Sequence, residues 1–348
     1  MDTQIAAILA MDGIATGAIY VLIGLGFVLI FAVTRVIFVP FGDIAAFTAL
    51  TMAALEAGQI PGTVGLVVGL AILAMLLELG SILRARDFHR IPRALLFFLV
   101  LPLLPAGAVW LATGLDVTMA GRIVLSLALI MPIAPLLDRI VFRPIADASV
   151  LLLLTVAVAL HFALVGLGLL FFGPEGVRTQ PLTDAMFTIG GVTVSAQTLL
   201  IVGASIVFSG LLFLFFEFTL AGKALRATAV NRTGARLMGI RPATTGTIAY
   251  LLASLLAGIS GVLIAPVTTI FYDSGFLIGL KAFVGAIIGA MASYPITAAG
   301  ALFVGLLESF ASFWDSSFKE VVVFGILIPV LLWRSLSFLH LDEDESEE

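Results

Sequence analysis

The sequence predicts an all-α protein that crosses a membrane many times, and three observations predict it. Of its 348 residues, 61% are hydrophobic and only 11% charged, against about 45–50% and about 25% in a water-facing domain. The mean hydropathy is +1.22, and apolar stretches near the ~20 residues that span hydrocarbon follow one another with short breaks. Ten-residue blocks of alternating polarity, the signature of a membrane β-barrel, are absent.

Taken in order between their polar, Gly and Pro punctuation, the apolar runs predict eleven spans: 13–33, 38–57, 62–83, 94–113, 119–138, 149–172, 195–217, 245–270, 276–292, 296–312 and 320–338. The ninth and tenth are short enough to read as half-helices. No Lys or Arg precedes Arg35, so the first run lacks the basic flank of a signal peptide and reads as a retained helix. With the N-terminus outside, 13 of the 17 basic residues fall on the inner side, leaving Arg122, Arg178, Lys281 and Lys319. Positive charge stays with cytoplasmic loops, which predicts the N-terminus out and the C-terminus in. Two loops are long: 173–194 outside, where Thr188 to Val194 reads as a turn or small hairpin, and 218–244 inside. The acidic run 342–348 holds six of the 22 acids and reads as a disordered tail after a single transmembrane domain, 1–341.

Several chemistries are excluded. The chain has no cysteine, hence no disulfide and no thiolate site. A phosphate-cradling G-x-x-x-x-G-K-[ST] loop is missing, because Gly222-Lys223 is followed by Ala224 and has Glu217 where the first glycine belongs. Gly258-Ile-Ser-Gly261 looks like a serine-protease motif, but the one histidine after Ser260 is His340, so close helix packing is the better reading. His89, His161 and His340 have no metal-ligand spacing. Neither a catalytic residue nor a resident cofactor nor a nucleic-acid partner is expected.

What remains is polar chemistry inside an apolar bundle. An intramembrane ionisable residue is costly and therefore a functional candidate. His161 lies midway along its span, and Asp43 sits at the head of the second. Lys281 and Glu308, on the outer parts of adjacent spans, are placed to face each other as an ion pair or to line a path. Glu78 and Asp138 have arginines nearby. Gly65/Gly69, Gly258/Gly261 and Gly285/Gly289 have the small-residue spacing of tightly packed helices. Pro132, Pro135, Pro266, Pro295 and Pro329 predict broken or kinked helices, which survive at membrane depth where protein or a water-filled cavity surrounds them. The segment Gly222–Ile240 alternates Lys223, Arg226, Arg232 and Arg236 with apolar residues ending in Leu237, Met238 and Ile240. It reads as an amphipathic basic helix for an anionic membrane surface or a partner's groove.

Gly222-Lys-Ala-Leu-Arg-Ala-Thr-Ala-Val-Asn-Arg-Thr-Gly-Ala-Arg-Leu-Met-Gly-Ile240 resembles the cytoplasmic coupling segment of permease subunits from branched-chain amino-acid ABC importers. The resemblance continues in Leu137-Asp-Arg-Ile-Val-Phe-Arg-Pro144, Phe172-Gly-Pro174, Gly258-Ile-Ser-Gly-Val-Leu263, Gly279-Leu-Lys-Ala-Phe-Val-Gly-Ala-Ile-Ile-Gly289 and Phe318-Lys-Glu-Val-Val-Val-Phe-Gly-Ile-Leu327. It departs at Phe38-Val-Pro-Phe-Gly-Asp43, Gly289-Ala-Met-Ala-Ser-Tyr-Pro-Ile296 and Arg334-Ser-Leu-Ser337, and residues 62–118 look like an inserted helix pair. The resemblance implies a bacterial or archaeal inner-membrane subunit paired with a second permease, a copy or a paralogue. It further implies two separate ATPase subunits that bind the ATP, and an external solute-binding protein. Gly222, Lys223, Arg226, Asn231, Arg232, Arg236, Leu237, Met238, Gly239 and Ile240 would then couple to the ATPase, while Asp43, His161, Lys281 and Glu308 would line the path. A self-sufficient secondary transporter or channel, built on Glu308 and His161, and a membrane scaffold are the competing readings.

Overall fold

The computed structural model describes residues 3–189 and 192–332; the acidic run 342–348, His340 and Arg334 lie outside the described residues. Helix α1 (Thr3–Thr34) is the axis of the bundle. From Tyr20 to Ile30 every residue is buried, as expected of a helix apolar on all faces. Helix α14 (Tyr294–Trp314) runs antiparallel along it at very close range. A Cβ on Gly13 or Gly17 would lie 2.8 Å from the Leu306 or Leu302 Cα, and one on Gly305 2.3 Å from the Gly17 nitrogen. Helix α12 (Pro242–Ile264) covers another side of α1.

Two short helices complete this core. Helix α2 (Phe41–Glu56) was expected from residue 38, but Pro40 has no N–H and disfavours helix in the residue before it, so the helix starts after it. Helix α13 (Gly275–Ile288) ends where Ala290 and Met291 take left-handed conformations, φ 58° and 53°. The N-terminal ends of α2 and α13 meet, with a Gly42 Cβ position only 1.9 Å from the Gly275 carbonyl oxygen; no side chain fits between them.

Helix α3 (Gly62–Ala85) turns at Arg86, φ 54°, into an apolar helical run Phe88–Ala112 that contains α4 (Ile91–Leu95) and α5 (Leu101–Ala112). A π-turn at Leu96–Val100 precedes Pro102 and Pro105, which cannot donate to the preceding turn. The run Met119–Ile145 likewise contains α6 (Met119–Ile130) and α7 (Ile133–Leu137), separated at Pro132. Of the other expected kink sites, Pro295 lies in the first turn of α14 and Pro266 just past the end of α12; they punctuate helices without bending them. Helix α8 (Val150–Phe172), capped by Ser149, leads to the long segment 173–195. There β1 (Met186–Ile189) and β2 (Val192–Ser195) pair antiparallel, Met186 opposite Ser195, as the expected hairpin. Helix α9 (Ala196–Phe218) follows directly.

Among the described residues, eight helical runs are long and apolar enough to span a membrane. The tenth expected span is a full 21-residue helix, not a half-helix, whereas the ninth is short. At the other three expected positions the described residues form shorter helices: α2, α13, and α15 (Lys319–Gly325) followed by helical residues 327–332, the rest of the expected span to 338 lying outside the described residues. Large apolar side chains such as Leu104, Leu151, Leu170 and Phe213 point outward, where a soluble protein would carry charge. This is a multi-pass, all-α membrane protein.

Candidate functional site: a coupling elbow and two buried polar clusters

The segment expected to be one amphipathic helix is two. Helix α9 ends at Phe218, and Thr219 caps the next helix, its hydroxyl accepting from the Gly222 N–H at 2.9 Å. Helix α10 (Leu220–Val230) then stops at Asn231, whose side-chain oxygen accepts from the Gly234 N–H at 2.8 Å and starts α11 (Arg232–Leu237). Asn is a strong N-cap because its short side chain reaches back to the orphan amide donors. Gly222 is forced by geometry, since a Cβ there would lie 2.3 Å from the Phe215 carbonyl oxygen. Gly239, φ 81°, closes the segment, and the Ile240 N–H donates to the Ala235 carbonyl.

Leu225, Thr228 and Ala235 are buried against the bundle, while Lys223, Arg226, Asn231 and Arg236 are exposed. Arg226 pairs with Glu217 at 3.0 Å and also donates to the Phe216 carbonyl. Leu237 and Met238 are 84% and 83% exposed, and Ile240 is half-buried. Arg226, Val230, Asn231, Met238 and Ile240 help line an open groove of about 420 Å³. Beside this elbow, Arg143 pairs with Asp138 at 3.2 Å and donates to Thr247 and the Ala243 carbonyl of α12; Arg139 pairs with Glu78 of α3.

The four polar residues expected along the path fall into two separate clusters. His161 Nδ1 and Asp43 Oδ2 are 2.7 Å apart and buried. The ring stacks on Phe276 at 4.6 Å, and Asp43 Oδ1 has no hydrogen-bond partner among the described residues. In the second cluster Lys281 Nζ lies 2.5 Å from Glu308 Oε1 and 3.3 Å from Glu320 Oε1. Glu308 also accepts from the Tyr20 hydroxyl at 2.6 Å and has Lys319 at 3.9 Å. This network joins α1, α13, α14 and α15. Nothing in the sequence singles out Tyr20, and the one signal for Glu320 is the charged Lys319-Glu320 pair heading an apolar run. Ser260 donates to the Leu256 carbonyl at 2.8 Å inside the glycine contact of Gly261 with α2, a packing role. The Gly65/Gly69 expectation fails in half: Gly65 meets Phe171, but Gly69 has open space around it.

Residues 9–331 match the model of the branched-chain amino acid transport system permease component. The chain belongs to this family. It is a membrane permease, a transport subunit and not an enzyme. The high-affinity branched-chain amino acid transport system permease protein BraD of Pseudomonas aeruginosa is 30% identical over 217 residues, 60% of this chain and 70% of the relative. LivH of Escherichia coli K12, of the same description, is 27% identical over 216 residues with the same coverage. No solved structure matches this permease.

Proposed function

We propose that this permease forms the translocation path of an ATP-driven importer of branched-chain amino acids or a similar small polar solute. The description of its relatives as high-affinity branched-chain amino acid permeases supports the solute class. One observation carries the coupling mechanism: Leu237 and Met238 stand exposed at the tip of a basic, capped elbow whose other face is fixed to the bundle. Exposed apolar side chains framed by Arg226 and Arg236 fit a partner's groove, the charges setting register and the apolar tip the buried contact. In this reading Gly222, Lys223, Arg226, Asn231, Arg232, Arg236, Leu237, Met238, Gly239 and Ile240 engage a separate ATPase subunit. Two such ATPases, a second permease and an extracytoplasmic solute-binding protein complete the machine, and ATP is bound by the ATPases with no cofactor held by this chain.

ATPase closure would push on the elbow, and the tight Gly222 contact would pass the movement to α9 and the bundle, a two-state element biased by a partner. Asp43 and His161 border the path, and Lys281 and Glu308 hold the short α13 against α14 beside it. The basic elbow faces the cytoplasm, with the N-terminus outside, in line with the distribution of Arg and Lys. Residues 62–118 form an inserted helix pair at the periphery of a single domain. Mild purification of the tagged chain from native membranes, followed by mass spectrometry, tests the assembly. A nucleotide-binding ATPase and a permease partner are expected; a lone homo-oligomer contradicts the reading.

A further inference from the structure

His161 is at the middle of α8, eleven residues from each end of Val150–Phe172 (161 − 150 and 172 − 161), or about 16 Å from either end at 1.5 Å per residue. At this level the surface is concave. His161, Phe162, Val165, Asp273, Phe276 and Leu277 line a pocket of about 370 Å³, within the ~300–1,000 Å³ of small-molecule sites. Phe162 is 68% exposed, so the pocket opens outward from this subunit. Asp273 is exposed and has no ion-pair partner among the described residues. It precedes Gly275, whose backbone abuts Gly42 and Asp43, which places it near the depth of the Asp43–His161 pair. A carboxylate facing lipid at the middle of a span costs at least about 2.5–3.5 kcal/mol. The unpaired Asp273 therefore argues that this face borders water or a polar partner.

The chemistry of the lining is divided. Asp273 offers a carboxylate at one edge. His161 has Nδ1 committed to Asp43, and no hydrogen bond engages its Nε2 among the described residues. Ser274 adds a hydroxyl that accepts from the Phe271 N–H at 2.9 Å, and Phe162, Val165, Phe276 and Leu277 supply the apolar remainder. We propose that this pocket holds the solute inside the permease, as a zwitterionic α-amino acid with a branched aliphatic side chain. Its ammonium group pairs with Asp273 and its carboxylate with the Nε2 edge of His161, whose ring Asp43 holds in place through Nδ1. The aliphatic part packs on the apolar lining. The inference rests on the importer reading and adds to it the place where the solute dwells.

The natural absence of cysteine makes the test direct. Val165→Cys and, as a reference on the outward face of α5, Leu104→Cys are introduced separately into the assembled transporter in proteoliposomes. Each is treated with a charged, membrane-impermeant methanethiosulfonate, and labelling of this chain is read by mass spectrometry. Val165→Cys is expected to react more than about ten-fold faster than Leu104→Cys, because the charged reagent avoids hydrocarbon. Leucine should slow the reaction several-fold, and Asp273→Asn should remove that protection while leaving the fast labelling, which also reports that the pocket is intact. Equal slow rates would overturn the proposal by putting the pocket against lipid. Fast labelling that leucine never slows would overturn it as well, leaving an aqueous surface without a solute site. Failure of the importer reading is recognised separately, as the absence of ATP-driven leucine uptake by the unsubstituted transporter.

Discussion

Lys281 and Glu308 show what a charged residue must find inside an apolar bundle. Their side chains are 7% and 12% exposed, and each has a further partner, Glu320 and Tyr20. Removing one member of a buried pair leaves the other charge uncompensated, which costs about 3–5 kcal/mol. Glu308→Gln and Lys281→Met should each lower thermal stability in detergent strongly, and the double variant should lose much less than the sum. Additive losses would mean that the two do not act as a pair. That these residues face each other was legible because they sit on consecutive spans. The bond between Asp43 and His161 was not, although both were conspicuous. They are 118 positions apart, and hydropathy says nothing about which way a helix is rotated about its axis. Tyr20, 288 positions from Glu308, was hidden for the same reason.

At the scale of elements, helix ends were legible where a residue dictates backbone geometry and misjudged where tertiary contact decides. Pro40 fixes the start of α2 and Asn231 divides α10 from α11; both residues were in view, yet apolar periodicity smoothed over them. The glycine pairs make the same point. Gly13 and Gly17 carry the α1–α14 contact but are two among 34 glycines, whereas Gly69 has the right spacing and touches nothing. Gly17→Leu should therefore force α1 off α14 and cost at least the ~1–3 kcal/mol typical of overpacking. Gly69→Leu should stay within about 0.5 kcal/mol of the parent. Thermal unfolding of the two variants in the same detergent distinguishes them, and equal behaviour would contradict the assigned α1–α14 contact. At the elbow, Gly222→Val drives a side chain into the Phe215 carbonyl. This variant should retain its transmembrane fold by circular dichroism while losing transport, since the clash lies at the α9–α10 joint and spares the α1–α14 core. Transport at the parent rate would mean that the elbow tolerates remodelling and does not transmit movement.

Across the whole molecule, the division of labour follows from where charge is placed. The bundle interior holds a few paired charges, and one elbow presents basic residues with two bare apolar side chains. That pattern was largely readable in advance, because composition sets the solvent and the basic residues set the sides. The pocket beside His161 was not, since Asp273 lies outside any apolar run and only the fold returns it to the depth of α8. Replacing both Leu237 and Met238 by Asp alters side chains that are more than four-fifths exposed, so folding and assembly of the bundle should be unchanged. ATP hydrolysis by the complex should continue while solute uptake falls to background, a separation readable by measuring both in one preparation. Coupled transport at the parent rate would remove residues 222–240 from the mechanism.

The most direct measurement is uptake of radiolabelled leucine by the purified complex in proteoliposomes, compared with ATP at the ATPase side and with a proton gradient alone. An ATP-driven permease subunit predicts uptake that requires ATP, survives a protonophore, and disappears when the ATPase subunits are left out. Uptake by this chain alone, driven by the proton gradient and indifferent to ATP, would contradict the account.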